Sequence, residues 1–268
     1  MSHTIGFLGG GNMAEGMIKG ILASETWKKE NLYVQEILPQ RKAYLKEKYD
    51  VQLTADLREL VEKADLIVLA VRPQDARITT KELCQYVSER HILVSICAGI
   101  RIEKLSDWTE NKIRCARIMP NTMIESGHGY SSLAFGDGFT QDAEAEVQKI
   151  SDSIGKTLRI PEKQFDAFTA ASCGGPEWII LIASALTDAA VEIGLSRNDA
   201  KAIVHENLIA TGLVLESTPK HYYQITDEMN TPGGIGIEGF HVFAKAGIHG
   251  AIMDAVKAAY RRTTELGR

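Results

Sequence analysis

The chain has 268 residues, 44% apolar and 24% charged, and its 30 Lys and Arg against 35 Asp and Glu leave a formal charge of −5. These are ordinary globular values. They argue against a disordered polymer and against a protein that coats nucleic acid, which needs a basic excess. The length suits one large or two modest domains, with enough core to dispense with disulfide or metal staples.

The N-terminal stretch Met1 to Leu8 is apolar but short, lacks a basic n-region and runs straight into glycines, so it does not read as a signal peptide. No run approaches the roughly 20 apolar residues of a membrane helix. The cysteines Cys84, Cys97, Cys115 and Cys173 show no CxxC spacing, and Cys97 and Cys115 lie in or beside apolar runs. They read as buried thiols in a reducing cytoplasm.

Short Val/Ile/Leu-rich runs at Thr4–Leu8, Leu32–Leu38, Leu66–Val71, Ile92–Cys97 and Ile113–Ile118 predict buried parallel strands. Amphipathic stretches between them, Met13–Leu22, Arg41–Lys48, Leu57–Ala64 and Asp75–Val87, predict helices. The alternation predicts a doubly wound α/β sheet. The first strand feeds Gly9-Gly10-Gly11-Asn12-Met13-Ala14, a G-x-G-x-x-A turn that opens a helix. Gly9 permits the tight turn, Gly11 lets the backbone approach a pyrophosphate, and Ala14 keeps the helix near the sheet. The free N–H groups of that helix then face the phosphates, so Gly9, Gly11, Asn12 and Met13 are candidate cofactor contacts.

The second strand ends near Glu36, roughly where an acid that accepts from an adenosine ribose belongs, which favours NADH. Arg41 lies just beyond and could pair with a 2′-phosphate, which favours NADPH; the sequence leaves this choice open. Further strand exits fall at Val71-Arg72-Pro73, Ala98-Gly99 and Met119-Pro120-Asn121. In an open parallel sheet such exits line the ligand crevice. Val71, Arg72, Pro73, Ala98, Gly99 and Asn121 are therefore candidates at the nicotinamide end.

After Ile160–Pro161 strand-like runs nearly vanish, which divides the chain into residues 1–160 and 161–268. Helices are predicted over Glu177–Ile193, Asn198–Leu215, Ile235–Ala246 and Ile248–Leu266. Gly194 suits a helix C-terminus, and Ser196 with Asp199 a helix start. Ser172-Cys173-Gly174-Gly175-Pro176 and Asn230-Thr231-Pro232-Gly233-Gly234 read as glycine loops feeding helix N-termini, hence candidate anion receptors.

With those residues the chain resembles the pyrroline-5-carboxylate reductase family over essentially its whole length. The resemblance rests on Ile5–Ala14, Val71–Gln74, Ser95–Ile100, Arg117–Thr122, Glu162–Pro176, Thr231–Gly234 and Ala255–Leu266. It implies an α/β Rossmann N-terminal domain and an all-α C-terminal dimerisation domain that interlocks with a second subunit. It also implies reduction of a cyclic imine to proline by NADPH or NADH. The assembly expected is a homodimer or a higher homo-oligomer, without nucleic acid, membrane or metal.

The chain departs from the family at several positions. Where the family reads S-G-S-G-P-A-Y, this chain has Gly174 in place of the second serine, and Glu177-Trp178 after the proline. Where the family reads T-S-P-G-G-T-T, Ile235 and Gly236 replace both final threonines, including the one thought to hydrogen-bond at the substrate. Glu238 adds a carboxylate, Met123 stands where proline is common, and Arg72 replaces lysine.

Hydride transfer to C=N needs little acid–base machinery if the imine is already protonated; the protein positions the reactants and excludes water. The N–H groups of Gly233 and Gly234, with the hydroxyl of Thr231, are placed to grip a substrate carboxylate, and Ser172 and Asn230 are candidates for the same pocket. Glu177 could protonate or steady the imine nitrogen, or could be a first-turn helix acid; Thr231 and Glu177 are the candidate catalytic residues.

Competing readings are a reductase of a related cyclic imine and a non-catalytic dinucleotide-binding regulator. A 3-hydroxyacid dehydrogenase is disfavoured because Phe165 to Ile193 contains no lysine. A metal hydrolase is disfavoured because His205-Glu206 is followed by Ile209 where HExxH needs histidine. The segment Ile179–Val191 is apolar nearly all round its helix and so must be buried on several sides, which points to subunit contact.

Overall fold

The computed structural model describes residues 4–267. It contains an eight-stranded sheet in the order β3-β2-β1-β4-β5-β6-β7-β8. The strands are β1 (Ile5–Leu8), β2 (Leu32–Gln35), β3 (Gln52–Leu53), β4 (Leu66–Leu69), β5 (Ile92–Ser95), β6 (Arg114–Met119), β7 (Gly129–Phe135) and β8 (Gly155–Arg159). All pairs are parallel except β6–β7. The strand order reverses between β1 and β4, which opens a crevice at their carboxyl ends.

All five predicted strands are present, each shorter than its apolar run or displaced by a residue. Three strands went unpredicted, for physical reasons. β3 is two residues long. β7 carries Ser131 and Ser132, fully buried, which interrupt its apolar signal. β8 is an edge strand, largely exposed, with Lys156 and Arg159. Helices α1 (Asn12–Ala23), α2 (Pro39–Tyr49), α3 (Leu57–Lys63) and α4 (Pro73–Leu83) match the predicted stretches, while α5 (Ile102–Trp108) and α6 (Gln141–Asp152) were not read from sequence.

Because side chains alternate across a strand, the sheet supports two cores. Ile5, Phe7, Leu66, Val68, Ile92 and Val94 pack with Met17 and Ile18 of α1 and Val147 and Ile150 of α6 on one face. Leu8, Ile67, Leu69 and Leu93 pack with Leu60, Leu83, Leu105 and Phe165 on the other.

By its internal contacts the chain forms two units: the described residues up to Cys173 together with those from Ala259 on, and Gly174–Ala258. The division thus comes after the predicted Ile160–Pro161 boundary. Phe165 is fully buried in the second core, and Ile160, Phe168 and Cys173 pack against that same core, so this stretch belongs with the sheet. The end of the chain also returns to the sheet unit, where Gly267 packs against the Gly99 turn and its carbonyl accepts from Lys104 Nζ.

The segment Ser172–Pro176 is not a loop, which corrects the sequence expectation. The chain is helical through α7 (Phe165–Phe168), a π turn (Thr169–Cys173) and α8 (Gly174–Glu192). Glu162–Glu192, 31 residues, is also long and apolar enough by length and composition to cross a membrane, a length the apolar-run criterion missed. Charged and small residues interrupt the run while the helix continues.

The helical unit contains α8, α9 (Arg197–Ser217), α10 (Tyr222–Met229), α11 (Ile235–Lys245) and most of α12 (Ile248–Leu266). Ser196 caps α9, its hydroxyl accepting from Asp199 N at 3.2 Å. Among the described residues of this unit only Thr187, Ala200 and Val204 are buried, and Ile180 and Leu181 are 63% and 68% exposed. A unit with so little core must bury its apolar face against something else.

Candidate active site

The carboxyl ends of β1, β2 and β4 enclose a cleft of about 820 Å³, and among the sequence candidates Gly9, Gly11, Glu36, Val71 and Arg72 line it. Gly9 has φ +101°, and a Cβ there would lie 2.8 Å from the Ala70 carbonyl oxygen. The turn therefore accepts glycine alone without strain. Gly11 is the N-cap of α1, and no side chain caps that helix. Its first N–H groups are left for a ligand and carry the positive end of the helix dipole. Asn12 opens α1 and is exposed, whereas Met13 is half-buried against the first core. An uncapped helix behind a Cβ-free turn, beside an elongated cleft, fits a dinucleotide pyrophosphate.

Glu36 closes β2 and is 8% exposed. Its carboxylate accepts from Gly10 N at 2.8 Å, Ile37 N at 2.7 Å and Leu38 N at 2.9 Å, tying the glycine turn to the start of α2. Arg41 does not line the cleft. Its Nε donates to Gly10 O at 2.6 Å and its Nη2 to Glu15 at 2.6 Å, above a separate hollow formed with Leu38, Pro39, Gln40 and Tyr44.

Glu15 gathers donors from Arg41, Lys48, Tyr44 and Tyr49. Burial alone would raise its pKa, but the hydroxyls of Tyr49 and Tyr44 and the two cations outweigh that and lower it from 4.5 to about 2. A carboxyl depressed in the folded state contributes stability above its ordinary pKa and loses it as pH falls. Between pH 4.5 and 2, thermal melts should therefore show the parent losing more stability than a Glu15→Gln variant. Parallel pH curves would refute the role assigned to this cluster.

The remaining strand exits are placed differently. Pro73 begins α4 and lines a small hollow of about 220 Å³ with Ile100, Leu266 and Gly267. Ala98 packs against the second core. Gly99 is covered by Leu266 and Gly267. Asn121 is buried, and its side chain is fully engaged within the protein: Oδ1 accepts from Met123 N and Tyr130 N, each at 3.2 Å, and Nδ2 reaches both the carbonyl and the hydroxyl of Ser172 at 3.3 Å. The Ser172 carbonyl stands four residues before Pro176, which has no N–H to offer it. Asn121 therefore serves a carbonyl that the proline orphans. The hydrogen bond from Cys173 Sγ to Pro120 O, at 3.6 Å, fixes the same turn. This brace explains how a proline sits near the start of a helix that continues from a π turn. Such π turns recur at functional sites.

In the helical unit, Asn230 follows α10, and Thr231–Gly234 form the turn into α11, closed by Gly234 N donating to Thr231 O at 2.9 Å. Gly233 has φ +68°. Gly234 is the N-cap of α11, which again has no side-chain cap, so this segment is the glycine turn feeding a helix N-terminus that the sequence predicts. Glu177 lies in α8 behind the helical π turn, so a free helix end is not what places it there.

The buried pair Arg117–Glu162 was not read as such from sequence, although both residues lie in stretches that carry the resemblance. Arg117 is 1% exposed, with Nη1 2.9 Å from Glu162 Oε1 and its guanidinium 4.6 Å above the Phe165 ring. No group of three or more metal-ligating side chains occurs among the described residues.

Residues 162–266 match the sequence model for pyrroline-5-carboxylate reductase dimerisation, and residues 4–99 match that for NADP oxidoreductase, coenzyme F420-dependent. A pyrroline-5-carboxylate reductase of Arabidopsis thaliana is 33% identical over 100% of this chain and 96% of its own length. One from Synechocystis is 32% identical over 100% of both. The crystal structure of Plasmodium falciparum pyrroline carboxylate reductase with NADP bound superposes with a TM-score of 0.91 at 28% identity, covering 99% of this chain and 98% of that one.

Proposed function

This chain belongs to the pyrroline-5-carboxylate reductase family, and from that premise we propose that it reduces 1-pyrroline-5-carboxylate to proline with a reduced nicotinamide dinucleotide. The observation that carries the proposal is the uncapped start of α1 at Gly11, opening on the 820 Å³ cleft in a chain matched end to end by reductases. NAD(P)H, when bound, supplies a hydride to the C=N carbon. The N–H groups of Gly11, Asn12 and Met13 hold the pyrophosphate, and Val71 and Arg72 line the continuation of the cleft.

The second glycine turn grips the substrate. Gly233 and Gly234 present N–H groups at the start of α11, where the helix dipole favours a carboxylate, and Thr231 adds its hydroxyl. The loss of the family threonine at Gly236 has a local replacement. A Cβ at 236 would meet Asn230 Oδ1 at 2.9 Å, so the Asn230 carboxamide occupies the space into which that threonine would project. Asn230 thus supplies the polar group in its stead. Ser172, for its part, is braced by Asn121. Glu177 steadies positive charge at the imine nitrogen. Transfer removes that charge, so the site must hold the iminium loosely to leave the transition state favoured.

The exposed apolar side chains of α8 are covered by a second copy of the chain, consistent with the dimerisation family of residues 162–266, rather than by lipid. The four cysteines are unpaired, and burial pushes the thiols of Cys97, Cys115 and Cys173 up to about 11, so they stay protonated and inert. This suits a reducing cytoplasm, and the net charge of −5 suits neither nucleic acid nor an anionic membrane surface.

The test is a purified-enzyme assay with NADH and NADPH separately, against five- and six-membered cyclic imines with and without a ring carboxylate. Turnover should require the five-membered ring and its carboxylate. Saturable dinucleotide binding with no imine turned over would instead favour a regulatory relative. Gly234→Asp places a carboxylate where the substrate's must sit, and its Cβ crowds Thr231. The substrate KM should rise at least roughly tenfold, a penalty of about 1.4 kcal/mol, while the dinucleotide Kd stays within about twofold. Equal weakening of both ligands would count against the pocket.

A further inference from the structure

We propose that this chain binds NADH in preference to NADPH, and that Glu36, together with an Arg41 held off by Glu15, sets the choice. The proposal rests on the dinucleotide reading above and goes beyond it, since the matching family is one of NADP oxidoreductases and the Plasmodium reductase has NADP bound.

The two cofactors differ by a phosphate on the adenosine ribose, which belongs at the end of β2. That phosphate carries a charge of about −1.5 to −2 near neutral pH, so it needs cations and donors. The structure offers the reverse. Glu36 lines the cleft at this point, and three backbone N–H groups fix its carboxylate so that it cannot swing away. A carboxylate has about four acceptor sites. With three engaged, one remains to accept a ribose hydroxyl, a contact that NADH makes and a phosphate in its place cannot.

Arg41 could have offset the repulsion. Instead, its guanidinium is spent on Gly10 O and Glu15, neither of which lines the cleft. Glu15 is a strong anchor because Tyr44, Tyr49 and Lys48 also bind it. Freeing Arg41 for a phosphate would break an ion pair only about one-fifth exposed on either side. The rest of the cleft adds no compensation. Asp56, Asp75 and Glu82 line it as well, and Arg72, the one cation among its described lining residues, is paired with Asp75 at 2.9 Å.

The experiment is a fluorescence titration of the purified full-length protein with NADH and with NADPH, without imine and at one ionic strength. NADH should bind at least tenfold more tightly. Equal or tighter binding of NADPH overturns the inference while leaving the reductase proposal intact; absence of binding by either dinucleotide overturns both. Two variants then test the residues. Glu36→Gln keeps the shape and removes the charge, and Glu15→Gln releases Arg41 without touching the cleft lining. Each should shrink the NADH/NADPH affinity ratio at least threefold, with thermal melts confirming the fold. An unchanged ratio in both variants overturns the assignment to these side chains.

Discussion

Replacing Gly9 with valine should raise the dinucleotide Kd at least roughly 100-fold, a loss of about 2.7 kcal/mol in binding. The reason is local. At φ +101° a β-branched residue is strained by about 1–3 kcal/mol, and its Cβ would press on Ala70 O at 2.8 Å and Ala70 C at 3.0 Å. Those atoms belong to backbone at the exit of β4, where Ala70 N donates to Leu8 O, so neither side can yield without parting the central strands. Relief has to come from the turn itself, which moves the start of α1 away from the phosphates. Calorimetric titration beside a thermal melt would separate the effects, and an intact fold with unchanged Kd would show that the turn is not the phosphate cradle. A Cβ at Gly11 meets no protein atom within 4 Å, so Gly11→Ala should leave the thermal melt unchanged and weaken binding only through a methyl group set against the pyrophosphate.

The contrast between these two glycines shows what a sequence can and cannot convey. The G-x-G-x-x-A spacing places the turn and the helix after it, because a tight strand-to-helix turn leaves few alternatives. Likewise, β1, β4 and β5 were legible because both faces of each are buried and their apolar runs are broken by no more than one small residue. What spacing cannot convey is where a polar side chain spends its hydrogen bonds. Sequence alone places Glu36 and Arg41 just beyond the end of β2, but their orientation is decided by hydrogen bonds to Gly10 and Glu15, which lie 26 to 31 residues away in the chain. Asn121 reads as a cofactor contact at a strand exit, yet its side chain is used up on Met123, Tyr130 and Ser172. Ser172–Pro176 reads as a loop because Gly-Gly-Pro ordinarily breaks a helix. The tertiary hydrogen bond from Asn121 overrides that tendency, and no local signal announces it.

Arg117 carries the largest expected effect on stability. Its guanidinium is taken almost wholly out of water, which costs several kcal/mol unless a partner offsets it. Burial pulls its pKa down, and Glu162 pulls it back up. Nε and Nη2 find no partner among the described residues, so the compensation falls on Nη1–Glu162 and on the Phe165 ring beneath. The same Glu162 oxygen accepts from Ile102 N at 2.6 Å and so joins β6, α5 and the start of the long helix. Glu162→Ala should therefore lower the unfolding free energy by about 3–5 kcal/mol, because it leaves a buried charge with Asp166 as the only further acid that contributes to holding it. Arg117→Met in the Glu162→Ala background should recover much of that loss, since it removes the charge and keeps the volume. Urea unfolding at one fixed protomer concentration is the measurement, because an associating chain has concentration-dependent stability. A loss under about 1 kcal/mol for Glu162→Ala, or no recovery in the double variant, would mean that the guanidinium is stabilised by something other than this carboxylate. Activity should follow stability here, because β6 delivers the Pro120–Asn121 turn that braces Ser172.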